Sequence, residues 1–210
     1  MSTTETPEPA QPRRRLSRED RQRQLLDVAW QLIREEGTDA LTLGYLAEKA
    51  GVTKPVVYDH FTTRAGLLAA LYQDFDRRQT ALMDAALADA EATLSGTATV
   101  IATAYVDCVM TQGNEIPGVI AALASTPELE RIKREYEAIF LEKCRSVLSP
   151  FADGAEIGQA GLRAMLGAAE ALSQAAATDE ISAEQARDEL LATIIAMVER
   201  AAARALKAGD

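Results

Sequence analysis

Polar side chains of several chemical kinds stand close together between Thr53 and His60. On a helix, those that point away from the apolar face supply a hydroxyl, an ammonium, an aromatic ring and an imidazole. Such groups bind phosphate oxygens, base edges and the methyl group of thymine. The segment therefore predicts a surface that binds double-stranded DNA. Its outward residues are expected to be Thr53, Lys54, Pro55, Tyr58, Asp59 and His60.

The rest of the sequence offers little chemistry for an enzyme. His60 is the single histidine, which excludes an HExxH motif, a histidine metal cluster and a Ser–His or Cys–His pair elsewhere. The sequence also lacks a GxSxG motif and a glycine-rich phosphate-binding loop. Cys108 and Cys144 are expected to be buried apolar residues. We predict a protein that is not an enzyme and that uses no metal or other cofactor.

Two short helices joined by a tight turn would present the polar residues. In Leu43–Phe61, apolar residues recur at helical spacing on both sides of Gly51, a residue type that tolerates positive φ at a helix end. Thr53 is expected to cap the second helix through its hydroxyl, and Pro55 suits its first turn. Ala47 is small enough for two helices to cross steeply. This spacing is typical of a DNA-binding helix-turn-helix.

The residues around this motif resemble the TetR (tetracycline-repressor) family of bacterial transcription regulators. Upstream, RQLLDVAWQLIREEGTDALT is similar to the first helix of the family, and VTKPVVYDHFTTRAGLLAALY is similar to its recognition and fourth helices. The resemblance covers Arg23–Tyr72. Departures from the usual residues fall at Gly44, Pro55, Val56 and Arg64. The matching positions are Ala29, Gly37, Thr42, Ala47, Gly51, Val52, Tyr58, Phe61 and Leu67.

Two residues outside the recognition helix complete the predicted DNA surface. Thr42 lies at the start of the preceding helix and Arg64 at the start of the next one. We expect the Thr42 hydroxyl and the Arg64 guanidinium to hold phosphates. The predicted DNA-binding residues are therefore Thr42, Thr53, Lys54, Pro55, Tyr58, His60 and Arg64.

The composition favours helices, because the 210-residue sequence is 48% hydrophobic, only 5% aromatic and free of alternating strand patterns. We predict an all-α protein of about nine helices. Its parts would be a flexible arm at 1–16, a three-helix helix-turn-helix domain at 17–62, and a larger helical effector-binding and dimerisation domain at 63–210. The absence of a long uninterrupted apolar run and of a secretory signal favours a cytoplasmic protein.

The net charge of −10 is unevenly distributed. Residues 1–80 hold 12 Lys and Arg against 12 Asp and Glu, whereas residues 81–210 hold 10 against 20. Phosphate therefore repels the predicted DNA-binding part less than the overall charge suggests. We expect the acidic remainder to weaken sequence-independent binding, so that specific contacts provide the affinity.

The central helices carry more aromatic and amphipathic residues than a plain support needs. Together with the family resemblance, they predict a cavity for a small effector, whereas ordinary core packing is the alternative for each residue taken singly. Since Lys, Arg and His do not cluster there, the guest is expected to be neutral or cationic, largely apolar and of drug size. The predicted ligand-binding residues are Tyr72, Phe75, Tyr105, Cys108, Met110, Gln112, Tyr136 and Phe140.

The last two helices, near 155–177 and 182–207, have wide apolar stripes and many small residues. In the TetR family the final two helices form the dimer interface, and the resemblance implies the same here, with core burial accounting for part of the stripes. Two copies would read a palindrome with half-sites spaced by about 34–36 Å or a multiple. The predicted interface residues are Leu162, Met165, Leu172, Leu191, Ile194 and Val198.

These patterns predict a ligand-responsive transcription regulator. We expect a repressor that binds a palindromic operator as a homodimer and is released by a small apolar effector. The alternative is a helical interaction module whose helix-turn-helix binds protein rather than DNA. A steep loss of DNA binding with rising salt is expected only for the regulator.

Overall fold

The computed structural model describes residues 16–112, 118–119, 121–122 and 127–208, and within them it contains eight α-helices and no β-strand. The predicted all-α fold is confirmed. Most of the predicted arm at 1–16, including Arg13–Arg15, lies outside the described residues. Short 3-10 turns occur at Thr38–Ala40 and Ser149–Phe151. The helices are α1 (Arg18–Glu36), α2 (Leu43–Lys49), α3 (Lys54–Phe61), α4 (Arg64–Asp89), α5 (Leu94–Gln112), α6 (Pro127–Leu148), α7 (Gln159–Ala177) and α8 (Ala183–Ala208).

Local sequence explains both ends of α1. The Ser17 hydroxyl accepts a hydrogen bond of 3.0 Å from the backbone N–H of Asp20, which satisfies one of the unpaired donors of the first turn. At the other end Gly37 has a φ of +82°, a conformation that side chains with a Cβ rarely adopt. Between these ends, Leu25, Ala29 and other apolar residues at helical spacing are buried.

The first hydrophobic core is built around the three N-terminal helices and the first turns of α4. Leu46, Val57 and Leu67 are fully buried in it, and the core continues along α4 to Tyr72. It therefore extends beyond the boundary predicted near residue 62. It also includes Val119, which is fully buried although it lies far along the chain from these helices. A segment after α5 thus packs into the core that supports α2 and α3.

The second hydrophobic core fills the C-terminal bundle. It contains residues of the four helices α5, α6, α7 and α8 and of the middle of α4. Within it, α5 contacts α4, α6, α7 and α8. By length and composition α5 resembles a membrane-spanning helix over Leu94–Thr111. Its buried residues, such as Ile101 and Val106, belong to this core. The apolar character of α5 is explained by its central place in the bundle.

Candidate DNA-binding surface and effector cavity

The turn between α2 and α3 has the form that its sequence predicts. The Thr42 hydroxyl caps α2 by accepting a 3.1 Å hydrogen bond from the N–H of Tyr45. Gly51 has the expected positive φ, +64°. The N–H of Val52 reaches back 3.0 Å to the carbonyl of Ala47, so that a Schellman-type turn closes α2. The turn directs the chain into α3 at Lys54.

The α3 helix presents two different faces. Val57 and Phe61 are buried in the first core and fix the helix against α2. Thr53, Lys54 and Pro55 are exposed, and Tyr58 is 50% exposed despite its large apolar ring. The exposed face therefore offers a hydroxyl, an ammonium and a phenol from rigid backbone positions, as a surface that contacts a groove requires.

One detail of α3 differs from the sequence prediction. Thr53 is the N-cap residue with extended backbone, but its hydroxyl makes no capping hydrogen bond. The predicted capping role of the Thr53 side chain was therefore wrong. Because the helix starts next to Pro55, which has no N–H, the first turn has one donor fewer to satisfy. The Thr53 hydroxyl is left available for a group outside the chain.

The Lys54 side chain lies across α2. A Cβ added to Gly44 would be 3.6 Å from Lys54 Cε and 3.9 Å from its Nζ. The bare backbone of Gly44 thus allows the aliphatic stem of Lys54 to rest on the neighbouring helix. This contact orients the ammonium, whereas a freely rotating lysine would lose more entropy on binding.

His60 lies at the edge of the exposed face. Burial lowers the pKa of its imidazole, and the positive charges of Arg18 and Arg21 lower it further, against a smaller opposing effect of Asp59. The neutral ring is therefore favoured near neutral pH, and it can still donate one N–H. Arg18 also donates a 3.2 Å hydrogen bond to the carbonyl of Asp59. The predicted set of DNA-binding residues omitted Arg18, because this proximity comes from packing of α1 beside α3.

The Arg64 side chain contacts the protein backbone, which the sequence analysis did not predict. Its Nε donates to the carbonyl of Leu41 at 2.9 Å, and its Nη2 donates to the carbonyl of Thr38 at 2.7 Å. These bonds tie the start of α4 to the link between α1 and α2. Arg64 therefore has a structural role, because the guanidinium is half-buried and bound to two backbone acceptors. Its predicted phosphate contact stays a prediction.

We expect Arg64→Ala to destabilise the DNA-binding part by about 2 kcal/mol, because two backbone carbonyls lose charged donors. Urea unfolding followed by the fluorescence of Trp30, the single tryptophan and a member of the same core, measures this. Arg64→Lys serves as the control and should retain part of the stability. If Arg64→Ala instead lowers the salt dependence of DNA binding and leaves the stability unchanged, the result would support the predicted contact between Arg64 and a phosphate.

A cavity of about 140 Å³ lies between α4, α5, α6 and α7. Six of the predicted ligand-binding residues line it: Tyr72, Phe75, Tyr105, Cys108, Tyr136 and Phe140. Met110 is not among the lining residues and is 38% exposed, because its position on α5 is rotated away from the side shared by Tyr105 and Cys108. The side chain of Gln112 lies outside the described part of the chain.

Aromatic rings form two walls of the cavity. Tyr72 and Tyr136 meet edge to face, with centroids 5.4 Å apart, and Phe75 stands 6.2 Å from Tyr72. On the other side the centroids of Tyr105 and Phe140 are 5.7 Å apart. Burial raises the pKa of both Tyr72 and Tyr105, so their hydroxyls stay protonated at physiological pH. The walls are therefore neutral, aromatic and able to donate hydrogen bonds.

Sequence reasoning missed the acidic residues of the cavity. Asp76, Glu137 and Glu170 line it together with the rings, and among the described residues no Lys, Arg or His does so. A lysine and an arginine stand behind two of the carboxylates: Lys133 Nζ lies 3.2 Å from Glu137 and 3.6 Å from Glu170, and Arg163 Nη1 lies 2.7 Å from Glu137. Helical spacing could have identified Asp76, which follows Tyr72 by one turn.

The cysteines carry no nucleophilic chemistry. Burial raises the pKa of Cys108 and of Cys144 to about 12. Since the thiolate is the reactive form, both side chains behave as apolar residues at neutral pH. Both are free thiols, Cys144 within the second core and Cys108 at the cavity.

The predicted dimer residues are mostly unavailable to a partner. Leu162, Met165, Ile194 and Val198 are buried in the second core of a single chain, and Leu172 and Leu191 are half-buried beside it. The predicted interface therefore needs correction: the apolar stripes of α7 and α8 pack on each other and on α5. The side of α7 opposite the core is instead a stripe of small, exposed or half-exposed residues: Ala160, Ala164, Gly167, Ala171 and Ala175.

Comparison with known proteins gives matches at two levels. Residues 25–71 match the family model of bacterial regulatory proteins of the tetR family. The HTH-type transcriptional activator FasR of Mycolicibacterium smegmatis is 39% identical over 59 residues, which make up 28% of this chain and 27% of FasR. The matched part thus spans about a quarter of the length of that relative.

Solved structures share the fold over most of the chain. A TetR-family regulator from Rhodococcus sp. has a TM-score of 0.71 at 20% identity, covering 86% of this chain and all of its own. The TetR-family regulator SCO4454 of Streptomyces coelicolor has a TM-score of 0.64 at 18% identity, covering 88% of this chain and 97% of its own. The multidrug binding protein EbrR, solved with imidazole, has a TM-score of 0.65 at 17% identity, covering 83% and 89%.

Proposed function

We propose that this chain is a DNA-binding regulator of the TetR family that reads its operator with α3, because residues 25–71 match the tetR family model. The observation that carries the proposal is the division of α3 into a buried face and an exposed face. Val57 and Phe61 anchor the helix, while Lys54 and Tyr58 point outward. The exposed chemistry suits both phosphates and base edges in the major groove.

Within this surface we assign different roles to the residues. Thr53 and Lys54, at the start of α3, lie nearest the base edges, as the N-terminal residues of a recognition helix do. Tyr58 and His60 position the DNA backbone, and Thr42 adds a hydroxyl whose proton is free to reach a phosphate, because its oxygen accepts from Tyr45. Pro55 adds an apolar contact. Arg18 is a further candidate beside the end of α3.

The working form is proposed to be a homodimer. One helix-turn-helix contacts only a few base pairs, whereas two copies related by a two-fold axis read a palindrome with half-sites about 34–36 Å apart or a multiple of that distance. The small-residue stripe of α7 supports this proposal, because it lies opposite the core and leaves apolar surface uncovered. Close approach of two such helices is possible where the side chains are as small as Ala164, Gly167 and Ala171.

The cavity is proposed to bind a small, largely apolar effector that releases the operator. Tyr72 lines the cavity and is also part of the first core, which supports α2 and α3. A guest that shifts Tyr72 or Tyr136 therefore acts on the packing beneath the DNA-binding helices. Val119, buried in the same core, offers a second mechanical link. The guest can change DNA affinity only to the extent that it binds the DNA-bound conformation of the protein and the released conformation with different affinities.

Loss of operator binding on addition of effector is proposed to relieve repression. Repression results where the operator overlaps the promoter. The relative FasR carries the name of an activator, and activation would follow from the same DNA contacts at a different operator position. The chemistry of α3 is common to both outcomes.

Selection of DNA fragments from a random library by the purified protein tests the proposal. We expect enrichment of an inverted repeat, bound with an affinity that falls steeply as salt rises. A helical interaction module, the alternative function, would enrich no sequence and would show weak binding without a defined repeat. The enriched operator then permits a screen of apolar compounds for release, with thermal shift as the measure of binding.

A further inference from the structure

We propose that the effector cavity selects an apolar molecule with a single positive charge, and that the carboxylate of Asp76 pairs with this charge between the aromatic walls. The inference rests on the proposed effector role of the cavity and names the chemical class of the guest. It goes beyond the sequence prediction, which left neutral and cationic guests equally open.

The charges around the cavity leave one carboxylate without a close partner. Glu137 has contacts with both Lys133 and Arg163, and Glu170 with Lys133, so that two positive charges face two negative ones. Two other nearby bases have partners elsewhere: Lys143 forms an ion pair with Asp84, and Arg77 lies 3.5 Å from Asp74. Asp76 has neither an ion pair nor a hydrogen bond within the described part of the chain. One negative charge thus remains for a guest to neutralise.

The surroundings of Asp76 make this charge costly when the cavity is empty. Partial burial raises the pKa of its carboxyl group, and Lys143 only partly opposes the effect. A cation beside Asp76 would recover part of the lost hydration as a direct electrostatic interaction, which is stronger in a poorly solvated site than in water. The cavity is therefore better suited to a cation than to a neutral molecule of the same shape.

The aromatic walls favour the same guest. Asp76 acts electrostatically on both Tyr72 and Tyr136, which places it near the edge-to-face pair. The faces of aromatic rings attract cations, most strongly when the cation is a weakly hydrated quaternary ammonium. Phe75 and Phe140 complete an apolar lining for the rest of the molecule. A volume of about 140 Å³ suits a compact guest with one aromatic ring.

Two probes of the same shape test the charge preference. Phenyltrimethylammonium carries a cationic nitrogen where tert-butylbenzene has a neutral carbon. We expect isothermal titration calorimetry with the full-length protein to show binding of the cation that is tighter by about tenfold or more. Asp76→Asn should reduce this preference to less than about threefold, since the amide keeps the shape but not the charge. Asp89→Asn, exposed on the same helix but outside the cavity lining, should retain the preference.

Thermal unfolding separates a binding defect from a folding defect. An aspartate whose pKa is raised by folding takes up a proton more readily in the folded state, so its ionised form costs stability at pH values above that pKa. Asp76→Asn should consequently melt at the same temperature as the unmodified protein or higher. A lower melting temperature together with lost binding would overturn the electrostatic role and indicate a structural one.

Three further results would overturn the proposal: equal or tighter binding of tert-butylbenzene, binding of neither probe, or a cation preference that survives in Asp76→Asn. Enrichment of an operator by the same protein preparation is measured separately and does not depend on either probe. A failed cation preference with an intact operator therefore refutes the guest class alone. Failure of operator enrichment refutes the proposed regulator instead.

Discussion

Ala171→Glu is expected to convert the proposed dimer into a monomer and to reduce operator affinity by about a hundredfold or more, since an unpaired buried charge costs roughly 3–5 kcal/mol. Ala171 is exposed on the side of α7 that lies opposite the second core. Two-fold symmetry would bring both new carboxylates into the same interface and double the penalty. Sedimentation velocity at micromolar concentration and DNA titration by fluorescence anisotropy measure the two effects.

Ala85→Glu is the matched control. Ala85 is exposed on α4 and is absent from the lining of the cavity, so the same substitution there should leave both dimerisation and DNA affinity unchanged. Since both alanines are solvent-exposed within one chain, neither variant should lose much thermal stability as a monomer. A dimer that persists in Ala171→Glu would remove α7 from the proposed interface.

Removal of side chains from the exposed face of α3 is expected to have the second large effect. Tyr58→Ala should weaken operator binding by about 1–3 kcal/mol, because a half-exposed ring that lies on the DNA loses all its contacts. Lys54→Ala should weaken binding to the operator and lower the slope of log affinity against log salt by about one unit, if its ammonium displaces a counterion. Titrations at several salt concentrations give both quantities.

Controls distinguish contact from general charge. Tyr58→Phe retains the ring and isolates the contribution of the hydroxyl. Arg131→Ala removes one positive charge from the exposed surface of α6, where Arg131 forms an ion pair with Glu135 at 2.7 Å, and it should leave the salt slope unchanged. Should Lys54→Ala and Arg131→Ala have the same small effect, long-range charge rather than a contact would explain the role of Lys54.

The helix-turn-helix could be predicted because its determinants are local. Gly51 takes its positive φ and Ala47 its buried position from rules that operate within a few residues. The hydroxyl of Thr53 was the exception, because capping depends on which first-turn donors remain to be satisfied. The hydrogen bonds of Arg64 could not be predicted from such local rules. Its acceptors, the carbonyls of Thr38 and Leu41, lie 26 and 23 residues away in sequence and come together only in the folded core.

The C-terminal part shows what helical spacing can and cannot identify. It correctly indicates that Ile194 and Leu162 belong to an apolar face, but it does not indicate whether that face is covered by the same chain or by a partner. Six of the residues predicted to bind a ligand line the cavity, because their five rings and one thiol lie on the inner sides of α4, α5 and α6. Asp76 was overlooked, since a single acidic residue on a long helix is normally solvated.

The division of the cavity lining between the two hydrophobic cores has a consequence for how such a regulator can diverge. Tyr72, with Phe75 and Tyr136 packed beside it, belongs to the core under the DNA-binding helices, whereas Tyr105 and Phe140 belong to the C-terminal core. In the proposed mechanism, substitutions at Tyr105 or Phe140 would alter which guest fits while leaving the packing under the DNA-binding helices unchanged. Substitutions at Tyr72 alter both at once, so new guest preferences should arise in lineages mainly through the wall formed by α5 and the later turns of α6.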